Sequence, residues 1–346
     1  MSHRRSTVIS DVTLKHIASS LGVNASTVSR ALDPAKSHLV SEEMVAQVRQ
    51  AASELGYRGD RVAGAMRRGA TGTVGVIVAD LANPFIAPVI HGIAQSLATE
   101  QMLPMIVETN DDPAELASSV DHLLSRRVDA VICAGARFEN REVLEQAAVH
   151  TPLIIAVRGL PNSVLTQVLH DDRAGGAMAA RHLLERGHKR VAELRGPDDV
   201  GNFVARHQGF QDECGIAAAE AIDLPSVGAR PIRAEGERLA QVLLDEHGDN
   251  LPTAVFAHND LMAVGALSVF REHGLSCPDD ISIVAYNNSP MIDQVDPPLT
   301  SVVYPGIEVG RAAGDVSLHL ISQPEDRAAG AIFPPTMCIR DSAKQL

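Results

Sequence analysis

The sequence predicts an α/β protein: a small helix-turn-helix head, a hinge, and a core of two doubly wound parallel-sheet subdomains. Two observations carry this prediction. From Thr73 onward, continuous apolar runs alternate with amphipathic helical segments, the order expected of buried parallel strands with helices on both faces. Ahead of them, charge and periodicity change together. Met1 to Arg68 holds ten Lys and Arg against six Asp and Glu, whereas the remainder holds twenty against thirty-seven. A basic head on an acidic body meets phosphates with one part and stays soluble with the other, despite a net charge of -13.

Three short helices account for the head. Thr13 is placed to cap the first, in which Leu14, Ile17, Ala18 and Leu21 share one face. Gly22 ends it, and Asn24 caps a second helix running to about Leu32. "DPAKSHLV" is turn-rich. Ser41 opens a third helix with Glu42 and Glu43 at its positive end and Val45, Val48, Ala52 and Leu55 facing inward. "LGYRGDRVAGAMRRGATG" is a Gly- and Arg-rich linker with one weakly helical stretch, Asp60 to Arg67.

The apolar runs are "TVGVIVAD", "LPMIVET", "DAVICAG", "LIIAVR", "RVAELRG", "AVFAHND" and "ISIVAYN". Helical segments such as "PAELASSVDHLLSRR", "DRAGGAMAARHLLERG" and "NDLMAVGALSVFREHG" lie between them. The region of about 270 residues suits two sheets with a cleft between them better than one. Ligands in such folds sit beyond the carboxyl ends of the strands, here the loops after Asp80, Ala134, Arg158, Gly196, Asn259 and Asn287.

Composition excludes several classes. No apolar run reaches membrane-span length. The start, "MSHRRSTVISDV", lacks an apolar core, so no signal peptide is expected. Cys133, Cys214, Cys277 and Cys338 form no CxxC pair, which argues against a zinc site or disulfide framework and for a reducing cytoplasm. No metal or cofactor is expected. "TVGVIVADLANP" has no GxGxxG, and no P-loop, GxSxG elbow or HExxH occurs, so an enzyme is not expected.

Two helices joined by "GVN" have helix-turn-helix spacing. In the second, Val28, Ala31 and Leu32 point one way, and Ala25, Ser26, Ser29 and Arg30 the other. That outer face is small except for Arg30, so the helix can approach base edges and the guanidinium can bond guanine O6 and N7. Thr27, Ser29 and Asn24 offer groups to phosphates.

"VTLKHIASSLGVNASTVSRAL", "VSEEMVAQVRQAASELGYRGDRVAGAMRRG" and "TVGVIVADLANPFIAPVIHGI" resemble the lactose-repressor (LacI/GalR) family of bacterial transcription regulators. The resemblance continues through "GHKRVAELRGP", "HNDLMAVGAL" and "PDDISIVAYNN". It implies a homodimer on a pseudo-palindromic operator, with a periplasmic-binding-protein-like core that takes a small effector. Ala25, Ser26 and Arg30 match base-reading positions; Thr13, Asn24, Thr27 and Ser29 match backbone-contacting ones. "RVAGAM", from Arg61 to Met66, matches a hinge helix, with Met66 where a leucine usually enters the minor groove. Gly64 within it costs about 1 kcal/mol of helix propensity, so the hinge is expected to order only on DNA. The implied boundaries are a head over 1–58, a hinge over 59–71, a first core subdomain over 72–170 plus 300–325, and a second over 171–299 plus 326–346. A periplasmic solute-binding protein would share the core but lack the head. The ending "CIRDSAKQL" is too short for a coiled coil, so dimers rather than tetramers are expected.

The resemblance also marks the effector cleft. Arg206 in "RHQGF" matches an effector-binding arginine, Asn259 a second polar position beside Asp260, and Phe85 and Ile86 an apolar wall. Departures are informative. Met44 and Val45 stand where the family has Thr-Arg, Gly59-Asp60 where it has Pro-Asn, and "DPAKSHLV" is lengthened by two residues. Asn287 and Val157 each replace a usual aspartate, while Arg158 and Arg206 remain. The cleft is therefore expected to be positive and to favour an anionic effector, a sugar acid or sugar phosphate over a neutral sugar. Effector and operator binding must alter one another by equal free energies, with a sign the sequence does not set.

Overall fold

The computed structural model describes residues 12–33, 36–57, 71–226, 230–326 and 328–346. Contacts divide the chain into two compact units, Met1–Gly69 and Ala70–Leu346. Residues 59–70 of the expected hinge, Arg61 and Met66 among them, lie outside the described residues.

In the first unit, helices α1 (Leu14–Leu21), α2 (Ala25–Leu32) and α3 (Glu42–Glu54) close on Ile17, Ala18, Val28, Ala31, Val48, Ala51 and Ala52. Thr13 is the N-cap of α1, and its backbone N–H donates to His16 Nδ1 at 3.2 Å. Gly22, at φ 67°, takes the left-handed turn that lets α2 follow α1 with only three residues between them. Ser41 caps α3 by accepting from the Met44 N–H. Leu55, expected inside, is 41% exposed. The helix stops at Glu54 and Gly56 reverses the chain at φ 67°, so Ala51 and the half-buried Tyr57 fill that end of the core.

The second unit contains two six-stranded sheets. The first has order β11-β5-β4-β3-β1-β2 and the second β12-β10-β9-β8-β6-β7. Their strands are β1 (Thr73–Val78), β2 (Leu103–Glu108), β3 (Ala130–Cys133), β4 (Leu153–Ala156), β5 (Thr166–His170), β6 (Arg190–Pro197), β7 (Glu220–Ser226), β8 (Ala254–Ala257), β9 (Ser282–Asn287), β10 (Thr300–Val303), β11 (Ala331–Phe333) and β12 (Thr336–Cys338). Every pairing is parallel except β10 with β12.

Helices cover both faces of each sheet, as parallel pairing requires. On the first, α4 (Ile86–Ala98) and α11 (Gly306–Ser322) lie over one face, and α5 (Pro113–Ser125) and α6 (Arg141–Ala147) over the other. On the second, α9 (Arg233–His247) and α10 (Asp260–Glu272) oppose α7 (Asp172–Glu185) and α8 (Gly201–Ile216). Among the described residues, no helix is long and apolar enough to cross a membrane.

Seven of the strands coincide with the apolar runs. β5, β7, β10, β11 and β12 do not: they are short or polar, and all five lie at sheet edges (β7, β11, β12) or beside them (β5, β10). β2 is a correction. Its run suggested burial, yet it is an edge strand with Leu103 52% and Ile106 40% exposed. The subdomain boundaries are corrected too. Thr300–Val303 pairs with β9 of the second sheet rather than belonging to the first subdomain. Ala331–Phe333 pairs with β5 of the first sheet rather than belonging to the second. The chain therefore crosses between sheets three times, after His170, after Val303 and after Phe333. Two of these crossovers bury aromatic rings, His170 and Tyr304, 5.0 Å apart.

The α4–α11 crossing is set by glycines. A Cβ at Gly92 would lie 2.2 Å from Ile307 O, and one at Gly310 2.1 Å from Val89 O. The two backbones touch, so neither helix can yield without moving the other. Gly310→Ala is expected to overpack this contact by about 1–3 kcal/mol and lower the melting temperature by roughly 2–10 °C. Thermal denaturation by circular dichroism measures it, with Gly215→Ala, a helical position whose Cβ would meet nothing within 4 Å, the milder comparison.

Candidate functional site

The head presents a surface and the core encloses a cavity. On α2, Val28 and Ala31 are fully buried, while Ser26 and Arg30 are exposed and Ala25, Thr27 and Ser29 half-buried. Asn24 is the N-cap of α2, but its side chain makes no capping bond, leaving the amide exposed. Thr13 is also exposed at the start of α1. Seven residues expected at DNA thus share two helix starts and one outer helix face. Ala25 is partly drawn into the core of the head, where it packs on the helical cluster.

The cavity lies at the carboxyl ends of β1, β3, β4, β6, β8 and β9, between the two sheets. All six residues expected at the effector line it: Phe85, Ile86, Arg158, Arg206, Asn259 and Asn287. Asp80, Asn83, Asp111, Asn202, Phe203 and Arg230 join them.

Two strand ends deliver side chains from strained backbone. Val157 follows β4 at φ 67°, and Arg158 N–H bonds back to Ala156 O at 2.7 Å. A β-branched residue there is an outlier worth about 1–3 kcal/mol of strain. It turns Arg158 inward. Asn287 ends β9 at φ 103°, and its carbonyl accepts from Tyr304 N–H.

Arg206 is 1% exposed. Its Nε donates to Asp172 Oδ1 at 2.8 Å, Nη1 donates to His258 O, and its plane lies 3.6 Å from the centroid of Tyr286. Burial pushes the Asp172 carboxyl up, but the Arg206 charge and a bond from His170 outweigh it and hold it below its usual value. Arg158 is paired with equal care. Its guanidinium meets both oxygens of Asp111, at 2.5 and 3.3 Å. Burial raises Asp111, yet Arg158 and Arg137 together leave it lowered. Arg230 pairs with Asp80 at 2.8 Å across the cleft. The expectation of a positive cleft is therefore corrected: each cavity guanidinium is paired with a carboxylate, with Asp111 serving both Arg158 and Arg137. Asp111 and Asp172 supply the charge that Asn287 and Val157 lack.

Asn259 is also more structural than expected. Its Oδ1 caps α10 by accepting from Met262 N–H, and its Nδ2 donates to Pro231 O at 2.7 Å. Asp260 caps nothing. It accepts from Ser289 N–H and Ser301 Oγ, fixing the turn that carries Asn287. Two other amides stay open: among the described residues, Asn202 Oδ1 and Asn287 Oδ1 are buried without a hydrogen-bond partner.

Behind this wall, Glu193 is fully buried and accepts from His258 Nε2, His207 and Gln211. Gly196 N–H donates to His258 Nδ1, which fixes the neutral tautomer with its proton on Nε2. Glu193, His207 and Asp223 place three donor atoms within 4.8 Å of one another. The Glu193 oxygens are already occupied and Arg195 lies 3.3 Å from Asp223, so the group is complete as a hydrogen-bonded network.

Sequence reasoning missed Asn83, Asp111, Asn202, Phe203 and Arg230. Asn202 stands one helical turn before Arg206 on α8, a spacing that places both on one face. Asp111 gave no comparable signal, since it sits in the left-handed turn "TNDD" after an edge strand.

A helix-turn-helix head followed by two linked parallel sheets around a polar cleft defines a ligand-responsive DNA-binding regulator. Comparison with known proteins agrees. Residues 13–60 match the bacterial regulatory proteins of the lacI family, and residues 180–343 a periplasmic binding protein-like domain. The HTH-type transcriptional repressor CytR of Escherichia coli (strain K12) is 31% identical over 342 residues, covering 96% of this chain and 97% of that protein. A transcriptional regulator CelR–cellobiose complex is 27% identical with a TM-score of 0.71, covering 96% of this chain and 99% of that one. The lac repressor dimer bound to operator and the anti-inducer ONPF shares the fold, with a TM-score of 0.85 at 22% identity over 97% and 100% of the two chains. This chain belongs to the LacI family. It is a DNA-binding transcriptional regulator, not a solute-binding protein without a regulatory role.

Two predictions follow from the site geometry. A Cβ at Gly201, the first residue of α8, would lie 2.1 Å from Gly159 O on the opposite subdomain. Gly201→Ala is expected to hold the cleft open. Amide hydrogen exchange should then accelerate at Phe138, whose N–H donates to Asp199 O across the cleft, while β3 and β8 amides stay protected. The second concerns Asp260, whose carboxyl burial raises from 3.8 to about 6 despite the Ser289 and Ser301 bonds. A raised folded pKa contributes stability below the unfolded value that is lost as pH climbs through the folded one. Asp260→Asn removes that titration, so its melting temperature relative to wild type should rise from pH 4.5 to pH 7.5; a difference constant with pH would contradict the assignment.

Proposed function

We propose that the protein is a homodimeric cytoplasmic repressor whose operator affinity is set by an uncharged, hydroxyl-rich effector, a sugar or glycoside, in the core cavity. One observation carries the effector class. Every cavity arginine is already neutralised, while Asn202 and Asn287 hold buried carbonyl oxygens that lack donors. An anion would have to compete with Asp111 and Asp172 for their guanidinium groups. A sugar hydroxyl instead supplies the missing donor, and a buried acceptor left unmade costs about 1–3 kcal/mol. Phe85 and Phe203 give the ring face an apolar wall. The cellobiose bound by CelR supports the same class.

On the DNA side, Arg30 with Ala25 and Ser26 reads bases, and Thr13, Asn24, Thr27 and Ser29 hold the phosphates. Arg61 and Met66 are assigned to the hinge on the family resemblance alone. The exposed edge strand β2, with Leu103 and Ile106, gives a homodimer apolar surface to cover.

A thermal-shift screen of neutral sugars, sugar acids and purines tests the effector. Neutral sugars should raise the melting temperature where the matching acids do not, and Asn202→Ala should weaken the hit at least tenfold with the fold intact. Stabilisation by acids alone would overturn the reading. Arg206→Ala is unsuited to this test, because it would strand Asp172 as an unpaired buried charge. For the operator, recovered by in vitro selection, Arg30→Ala should lose about 10–100-fold in affinity, confined to one base pair per half-site.

A further inference from the structure

On the cavity wall, one carboxylate serves two arginines. Asp111 Oδ1 accepts from Arg158 Nη1 at 2.5 Å and Arg137 Nε at 3.2 Å. Its Oδ2 takes Arg158 Nη2 at 3.3 Å and Arg137 Nη2 at 3.1 Å. Arg158 lines the cavity and makes no bond to the second subdomain. Arg137 reaches across the cleft instead. Its Nη1 donates to both oxygens of Asp199, at 2.7 and 2.8 Å, and beside it Phe138 N–H donates to Asp199 O at 2.9 Å. Asp111 and Arg137 are buried, and Asp199 is half-exposed at the mouth.

We propose that Arg137 and Asp199 form a latch across the cleft, and that Asp111 is the positioning residue through which Arg158 sets its strength from the cavity. The two guanidinium groups compete for the same oxygens and repel one another, and Arg158 holds the shortest bond. A ligand hydroxyl that accepts from Arg158 shares its guanidinium with Asp111 and loosens that pair. Asp111 then turns more fully to Arg137, which fixes the fork of donors that grips Asp199. Ligand contact on one wall and closure at the mouth become cooperative through four charges that sum to zero.

This deepens the reading of the cavity as an effector site, but the latch can be measured without any effector. The experiment is native-state hydrogen exchange on the full chain, read at the Phe138 amide against β3 amides as internal control. Asp199→Asn should accelerate Phe138 exchange about tenfold, with a smaller acceleration in wild type as salt is raised. Arg158→Met, which touches nothing across the cleft, should slow it, because Asp111 is released to Arg137. Arg158→Gln is the alternative should the methionine variant fold poorly, since it can still bond Gly135 O. Unchanged exchange in Asp199→Asn overturns the latch. Unchanged or faster exchange in the Arg158 variants overturns its coupling to the cavity. If no neutral sugar binds while these variants behave as stated, the effector reading fails and the latch stands.

Discussion

The architecture of the core turns on the burial of one charge, the Arg206 guanidinium. At 1% exposure it must find a carboxylate, a carbonyl and a ring within the protein, and it takes Asp172, His258 O and Tyr286. These three partners stand at the start of α7, just past the end of β8 and next to the end of β9, while Arg206 itself is carried by α8. Meeting the needs of one side chain therefore fixes the ends of the strands that surround the cavity. The fit is close enough that a Cβ at Gly175 would lie 2.1 Å from the Tyr286 hydroxyl and one at Gly176 2.0 Å from Arg206 O.

The first subdomain answers the same problem with Asp111. Its single carboxylate compensates Arg158 and Arg137, as Asp172 compensates Arg206. Each subdomain thus offers the cavity a guanidinium whose charge is cancelled behind it. What remains open to a ligand is directional hydrogen bonding and two phenylalanine faces, the setting on which the proposed neutral effector rests. The strained residues Val157 and Asn287 occupy corresponding strand ends in the two sheets. Strain of this kind persists only where surrounding bonds over-determine it, here the Arg158–Ala156 turn and the Asp260–Ser289–Ser301 turn.

Much of this was legible in the residues. The three-helix head follows from apolar spacing, from Asn24 and Ser41 at helix starts, and from Gly22 between α1 and α2. Buried strands read as apolar runs because both their faces are covered; the strand-end rule pointed to Arg158, Asn259 and Asn287, and the family resemblance supplied Phe85, Ile86 and Arg206. The failures share a cause. Edge strands such as β7 and β12 lack the burial that makes a run continuous, and β2 has the run without the burial. Strands β10 and β11 are too short to show which sheet they join, so the subdomain boundaries were misplaced there.

The sequence by itself determined the class of protein: a helix-turn-helix with its recognition face and an alternating core with its cleft at the strand ends. Local periodicity and a few special residues encode these, because each depends on neighbours within one or two helical turns. Only the tertiary structure decided the electrostatics of the site. Whether Arg158 and Arg206 stand bare or paired depends on Asp111, 47 positions away, and Asp172, 34 positions away. Ion pairing is a matter of distances of a few ångströms, and no spacing along the chain records it.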